Sequence, residues 1–399
     1  MYRLASDFEI CKRLPLGMIG GAAGSFFGPY HRAAIRLSDR WELAAGVFSS
    51  DPEKSRQAAK AFSVADDRVY ATVKDLVAGE QNRSDRVSAV LVVTPNHLHF
   101  DACKTLIEGG FGVICDKPLV NDLGEAQTLR ELAEHKQVFF GMTYTYCGYP
   151  MVREARARVS RGDIGRVKFV YAEYLQEWLA DKPELLGAKA GGWRTDPAKA
   201  GPTGTLGDVG THAFNLMEFV TGARATTLSA TIETLVGGRK LDDNDMVTLK
   251  FDGGFSGLVW SCQAAPGHRN GLRIKVVGTE GHLEWRQEAP ETLFIGRLGM
   301  EDAILHRGQR TMTDVGQAEV TLPAGNPEGY FEALAVLYSD FADTLSAGKT
   351  GPSDCPSGFP FPDIVEGVRG IAFCDAALRS SNQASQWTRL EEKPTVSHG

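Results

Sequence analysis

The chain contains no run of about 18 apolar residues, the length a helix needs to cross a bilayer. Residues 1–13 lack the basic-then-apolar order of a secretory signal, so the expected location is the cytoplasm. An excess of positive charge is also missing. The 43 Lys and Arg against 50 Asp and Glu leave a formal net charge of −7, which gives no general attraction for nucleic acid or an anionic membrane surface. Neither partner is expected. Cysteine is scarce: Cys11, Cys103, Cys115, Cys147, Cys262, Cys355 and Cys374 form no C-x-x-C pair, and an odd, scattered set fits reduced thiols rather than a disulfide framework. There is no H-E-x-x-H, and among the nine histidines only His97 and His99 stand close together, at a poor spacing for metal ligands. No metal is expected. Internal repeats are absent, and the one low-complexity stretch is 351–362, which holds four prolines.

What is present is length and alternation. At 399 residues the chain exceeds the size at which one hydrophobic core stops growing, so two domains are expected, a dinucleotide-binding unit over 1–145 and a second unit over 146–399. Gly20, Gly21, Gly24 and Gly28 lie between an apolar run at 14–19 and a helix-like stretch at 31–37. A strand feeding a helix through glycines cradles a pyrophosphate, because a bare backbone admits the diphosphate and the helix N-terminus offers N–H groups and roughly half a positive charge. Ser25 and Phe26 belong to the same loop. The spacing departs from G-x-G-x-x-G, since Ala22 holds the middle place and three extra residues precede Gly28, so a turn without a ligand is the alternative. Strand patterns at 42–48, 87–93, 111–115 and 138–142 favour the nucleotide reading. They alternate with helix patterns at 72–78, 99–108 and 122–135, and with one opened by Asp51 and Pro52. Residues 90–93 are apolar on both faces, as a central strand of a doubly wound parallel sheet must be.

In such sheets ligands bind outside the carboxyl ends of the strands. Three ends carry distinctive chemistry: Thr94, Pro95, Asn96, His97 and His99; then Cys115, Asp116, Lys117 and Pro118; then Thr143, Tyr144, Thr145 and Tyr146. Pro118 restricts Lys117 to extended backbone, so its ammonium is aimed; a solvated Asp116–Lys117 pair is the plain alternative. Further along, Asp208 and His212 stand four residues apart at the start of an expected helix over 209–220, where both project on one face about a turn apart. A capping role for Asp208 and a satisfied helical His212 are compatible with chemistry there. At the end of the second strand, Ser49 and Ser50 stand in place of the acidic residue that would select NAD through the ribose 2′-hydroxyl. NAD and NADP both stay open, and Asp51 reads as the cap of the next helix.

Alternating patterns at 167–177, 226–235, 246–251, 257–263 and 272–277 predict a largely antiparallel second sheet. The long loop at 178–202 carries Trp178, Lys182, Lys189, Trp193, Arg194, Thr195 and Asp196, and long loops in compact domains are commonly lids or binding loops. Tyr144, Tyr146 and Tyr149 either join that surface or pack against the first domain's edge. The stretch 286–327 reads as a hairpin with loops, and the apolar stripes at 328–347 and 364–378 read as core helices.

Four motifs in order resemble the Gfo/Idh/MocA family of sugar and inositol dehydrogenases over most of the chain. They are the glycine loop ending in His31, the Thr94, Pro95, Asn96 and His99 set, Asp116-Lys117-Pro118, and the segment from Gly204 through Asp208 to His212. Asp116 stands where the family carries Glu. The resemblance implies an α/β architecture: an N-terminal Rossmann domain and a C-terminal α+β domain with a large, mainly antiparallel open sheet. One face of that sheet would be covered by helices and the other packed on another subunit, in a homodimer or homotetramer. It implies a catalytic group of Lys117, Asp208 and His212. NAD or NADP would be held by Gly20, Gly21, Gly24, Ser25, Phe26, Gly28, Ser49, Ser50, Thr94, Pro95, Asn96, His99, Asp116 and Lys117. A small polyol or sugar would face Lys117, Tyr144, Tyr146, Trp193, Arg194, Asp208 and His212.

The chemistry of these residues agrees with that. Oxidising a secondary alcohol by hydride transfer also removes the hydroxyl proton, a task suited to a histidine oriented by a nearby carboxylate, while a lysine donates to the substrate oxygen. Two alternatives share the fold: a glycosidase using bound NAD for transient oxidation, and a non-catalytic nucleotide-binding regulator. Lys117, Asp208 and His212 together favour an enzyme.

Overall fold

The alternation of the first 145 residues becomes a five-stranded parallel sheet in the computed structural model, which describes residues 12–181, 195–351 and 361–392. Its strands are β1 (Leu14–Gly20), β2 (Trp41–Val47), β3 (Ala89–Val93), β4 (Gly112–Cys115) and β5 (Phe140–Met142), in the order β2-β1-β3-β4-β5. Every residue of β3 is buried, as a strand covered on both faces requires. The strand order reverses between β1 and β3, which opens a crevice at their carboxyl ends. Around the sheet run α1 (Gly28–Ser38), α2 (Pro52–Phe62), α3 (Val73–Glu80), α4 (His99–Glu108) and α5 (Leu123–Lys136). Local chemistry sets their starts. Asp51 caps α2 by accepting from the amides of Glu53 and Lys54 at 2.9 and 3.3 Å, and Thr72 forms a capping box with Asp75 at α3.

The second sheet has nine strands. They are β6 (Val167–Leu175), β7 (Ala225–Glu233), β8 (Asn244–Phe251), β9 (Ser256–Cys262), β10 (Gly271–Gly278), β11 (Gly281–Arg286), β12 (Thr292–Arg297), β13 (Ala303–His306) and β14 (Thr388–Arg389). All neighbours are antiparallel except β6 and β9, so the sheet is mixed. Strict alternation gives it two unlike faces. Val170, Ala172, Leu228, Val247, Val259 and Ile274 join a core with α6 (Pro150–Arg161), α7 (Thr211–Thr221) and α9 (Ile364–Asn382). On the other face Phe169, Met246 and Ile304 are exposed.

Two features extend the sequence expectation. The stretch read as a hairpin with loops supplies β12 and β13, which prolong the sheet past β11. Helix α8 (Tyr330–Ser346) packs on the first sheet, its Leu334, Leu337, Tyr338 and Phe341 meeting Leu16, Met18, Leu91 and Ile114. The described cysteines, Cys103, Cys115, Cys147, Cys262 and Cys374, are buried free thiols; Cys11 and Cys355 lie outside the described residues. Among the described residues no helix is long and apolar enough to cross a membrane, and no cluster could hold a metal ion.

Candidate active site

A cleft of about 860 Å³ follows the carboxyl ends of the first sheet's strands. Gly20, Gly21, Gly24, Ser25 and Phe26 form one wall, Ser49 and Ser50 stand at the end of β2, and Thr94, Pro95 and Asn96 follow β3. Gly20 holds φ +89°, and a Cβ there would come within 2.8 Å of the Val93 carbonyl oxygen, so the tight turn admits no other residue. Gly28 lies behind the wall. A Cβ on it would sit 2.6 Å from Gly21 Cα, so its role is to let α1 approach the loop, and its amide donates to Ser25 Oγ at 3.1 Å. Arg32 of α1 grips the same loop by donating to the Gly21 carbonyl at 2.8 Å.

His99 also stands outside the cleft. It is buried, with Nδ1 at 3.0 Å from the Pro118 carbonyl and Nε2 at 2.9 Å from the Thr94 carbonyl, and so clamps the two strand-end loops together rather than facing a ligand. At the end of β2, Asp51 is engaged with α2, and Ser49 Oγ accepts from the Asp51 amide at 3.1 Å.

At Lys117 and Asp208 the cleft meets a second cavity of about 570 Å³, lined by Phe26, Phe27, Tyr30, Tyr146, Tyr174, Gln176, Trp178, His212, Arg269, Asn270, Gln287 and Tyr330. Lys117 stands at the end of β4, beside a cis peptide to Pro118. Its Nζ donates to the main-chain oxygen and to Oδ1 of Asp208, both at 2.7 Å, while Asp208 Oδ2 accepts from Gln263 Nε2 at 2.9 Å. Asp208 does not cap a helix. It lies inside a π-helical turn (Leu206–Gly210) that leads into α7, and the capping falls to Asp242, whose carboxylate accepts from the amides of Gly204 and Leu206 at 2.6 and 2.7 Å. Such turns recur at functional sites.

His212 faces the same cavity, held differently from the sequence expectation. The carboxylate of Asp208 is directed to Lys117 and Gln263, and the imidazole is wedged edge-on against Tyr144 and Tyr146, with ring centres 5.6 and 5.0 Å away. Its Nδ1 is buried with no hydrogen-bond partner among the described residues. Burial, then the Lys117 charge, pushes the imidazole pKa well below its ordinary value against the opposing pull of Asp208 and Asp116, so the ring is neutral at neutral pH. Tyr144 is buried behind His212 and does not line the cavity; Tyr146 does. Tyr149 stacks beneath Tyr146 at 6.1 Å.

Asp116, beside Lys117, accepts from the Lys117 amide at 2.9 Å and from Thr143 Oγ1 at 2.8 Å. Burial pushes its carboxyl up, but His31, Lys117 and Thr143 more than offset this and hold it below the usual carboxylate range. Trp193, Arg194, Lys182 and Lys189 lie outside the described residues. The structure adds a polar chain that motif reading did not find. Asn270 Oδ1 accepts from Tyr174 and Gln176, each at 2.7 Å, and Gln263 Nε2 joins Gln176 to Asp208 at 3.0 and 2.9 Å. The only signal was positional: Tyr174 and Gln176 sit at the end of β6, and Asn270 just before β10.

A glycine-walled cleft at a Rossmann switch point, meeting an aromatic cavity that holds a lysine, a carboxylate and a neutral histidine, defines a dinucleotide-dependent oxidoreductase. Residues 14–144 match the model of the oxidoreductase family with an NAD-binding Rossmann fold, and residues 152–284 match the GFO/IDH/MocA C-terminal domain. The chain is 33% identical over 386 residues to the oxidoreductase YfiI of Bacillus subtilis (strain 168), covering 96% of this chain and 98% of that protein. It is 34% identical to an inositol dehydrogenase homolog from Azotobacter vinelandii in complex with NAD+, covering 96% and 98% of the two chains with a TM-score of 0.90. A structure of an inositol dehydrogenase homolog from the same organism with NADH and myo-inositol is 33% identical, covers 95% and 98%, and has a TM-score of 0.87. The chain belongs to the Gfo/Idh/MocA family of oxidoreductases, and its first sheet is that family's NAD-binding Rossmann domain.

Proposed function

We propose that the protein is an NAD(P)-dependent dehydrogenase acting on a secondary alcohol, or the corresponding ketone, of a sugar, sugar derivative or inositol. One observation carries the reading: Lys117 Nζ, fixed at 2.7 Å by Asp208, stands where the glycine-walled cleft meets the cavity that holds His212. Gly20, Gly21, Gly24, Ser25 and Phe26 would hold the diphosphate, Ser49 and Ser50 the adenosine ribose, and Thr94, Pro95, Asn96 and Asp116 the remainder. The glycine turn, which lines the cleft with bare backbone, fits such a group. A bound nicotinamide dinucleotide supplies a two-electron acceptor for the hydrogen on the carbinol carbon.

The chain's own residues do the rest. Lys117 Nζ donates to the substrate oxygen and stabilises the negative charge that develops there. Neutral His212 takes the hydroxyl proton on an imidazole nitrogen, and Asp208 anchors the lysine by side chain and main chain together. Tyr146, Tyr174, Trp178 and Tyr330 offer faces for C–H surfaces, and Gln176, Asn270 and Gln287 offer partners for hydroxyls. That mixture suits a polyol, and the Azotobacter structure with myo-inositol supports the class.

We take residues 1–145 as the cofactor unit and 146–399 as the substrate and assembly unit. The exposed Phe169, Met246 and Ile304 favour a second subunit on the open sheet face. The test is a panel of inositols, sugars and sugar derivatives with NAD and NADP, read by nicotinamide absorbance in the near ultraviolet. Substrate-dependent cofactor reduction that disappears in Lys117→Ala is the expected result. Glycoside cleavage without net cofactor reduction would assign the transient-oxidation chemistry, and cofactor binding with no turnover on any substrate would assign a regulator.

A further inference from the structure

A lysine side chain is long and flexible, so aiming its ammonium requires a fixed backbone beneath it. The Asp116 carboxylate provides that fixture, gathering the Lys117 amide at 2.9 Å, Thr143 Oγ1 from the end of β5 at 2.8 Å, and His31 Nε2 from the first turn of α1 at 3.7 Å. His31 is 2% exposed, and its Nδ1 lies 2.8 Å from the hydroxyl of Tyr338, a fully buried residue of α8. A Tyr338 hydroxyl that donates to Nδ1 would leave the ring proton on Nε2, toward the carboxylate, so that one tyrosine would set both the tautomer and the tilt of the ring. We propose that His31 and Tyr338 are positioning residues for Lys117, acting through Asp116 to hold the lysine in register with Asp208 and the cleft.

This assignment rests on the reading of Lys117 given above. Ordinary core packing explains it less well, because the carboxylate that His31 meets is itself part of the cleft wall beside Lys117. The same helix that carries His31 grips the glycine loop through Arg32 and Gly28. A shift of that loop would therefore be felt at Asp116 through a few close contacts.

The test compares His31→Ala, His31→Gln and Tyr338→Phe with the native enzyme in two measurements. One is steady-state turnover with KM for cofactor and substrate. The other, made on free enzyme without cofactor, is the rate at which a lysine-selective acylating reagent labels Lys117, followed by peptide mass spectrometry. In His31→Ala, kcat is expected to fall about tenfold to hundredfold, the cost of a small misplacement of a reacting group. KM for cofactor should stay within about threefold and Lys117 should label several-fold faster. His31→Gln, whose amide nitrogen reaches the Nε2 position, and imidazole added to His31→Ala should each restore part of both. Tyr338→Phe should shift both in the same direction by less, and it decides the matter if His31→Ala does not fold. Native kcat and native labelling in a folded His31 variant, or a loss that neither His31→Gln nor imidazole relieves, would overturn the proposal. If Lys117→Ala itself keeps full turnover, the functional reading fails, while the labelling rates still report whether His31 fixes the lysine.

Discussion

Truncating Lys117 to alanine removes one nitrogen and three relationships: its bonds to the main-chain oxygen and Oδ1 of Asp208, both at 2.7 Å, and the proposed donation to the substrate oxygen. A hydrogen bond involving a charged group contributes about 1.5–3 kcal/mol net, and each 1.36 kcal/mol in the barrier is about tenfold in rate. Loss of the contact that strengthens as the oxygen gains charge should therefore cost about a hundredfold or more in kcat, near 2.7 kcal/mol. The cofactor cleft should be little affected, because its glycine wall belongs to the end of β1 and the loop that follows it. Stability falls too. The Lys117 and Asp208 side chains are 8% and 24% exposed, so the pair lies between a surface ion pair and a buried one, and its loss should cost about 1–3 kcal/mol with Gln263 still on Asp208. Lys117→Met keeps most of the apolar stem and separates packing from charge. The assay is turnover on the best substrate of the panel, alongside the cofactor dissociation constant from quenching of protein fluorescence. Turnover within about threefold of native in both variants would remove the lysine from the mechanism and refute the argument.

Gly28→Ala places a Cβ 2.6 Å from Gly21 Cα and 3.0 Å from the Gly21 oxygen, both main-chain atoms, so the loop must move; cofactor affinity should drop about tenfold or more, and an unchanged titration would contradict the loop's role. Because burial and Lys117 depress the His212 pKa, the unfolded chain binds a proton near pH 6.5 that the native chain refuses. Stability should therefore fall as pH drops below about 6.5, by up to 1.4 kcal/mol per unit. Urea melts should show that slope in the native protein and a shallower one in His212→Gln, and the acid limb of kcat/KM should lie below 6.5. Burial, together with the hydrogen bond and charge of Glu366, pushes the Asp363 carboxyl up to about 8, so the native chain keeps a proton that the unfolded chain has lost. Native stability should decline as pH rises from the ordinary carboxylate range to about 8. In Asp363→Asn an acceptor remains for the Val365 amide, now 2.8 Å from Oδ1, and a donor for Glu366, so its Tm advantage should grow across that window.

What the sequence made legible was local. The Rossmann half could be read because β3 is apolar on both faces and because Asp51, Thr72 and Asp122 sit at helix starts, where capping depends only on residues two or three positions on. Helix α6 was not legible. It buries Arg153 and Arg158, which a hydrophobic pattern scores as solvent-facing, and Arg153 is satisfied by Glu319 and Asp340, each at 2.5 Å from far along the chain. Motifs located Lys117, Asp208 and His212, which meet at one cavity, but they gave no side-chain direction. His99 shares a loop with Thr94 and Asn96 yet turns inward to three carbonyls, and Tyr144 shares a turn with Tyr146 yet sits behind His212. Tyr174, Gln176 and Asn270 converge through sheet register, β6 lying against β10 with Tyr174 opposite Leu272, a relation no local spacing contains.

From the π-helical turn at Leu206–Gly210, residue 208 serves the lysine twice. The main-chain oxygen of residue 208 accepts from Lys117 Nζ, and the side chain of the same residue supplies the second acceptor. An irregular turn needs support from outside the helix. Asp242 provides it by taking the amides of Gly204 and Leu206, and Thr205 adds a bond to Gln263 at 3.0 Å. Gln263 in turn fixes Asp208 Oδ2. The ammonium is thus held from the turn before α7 by two acceptors of one residue, and its backbone is held at the end of β4 by the Asp116 fixture. A lysine fixed from both sides at the meeting of the cleft and the cavity has little freedom left, which is what the proposed donation to an alcohol oxygen requires.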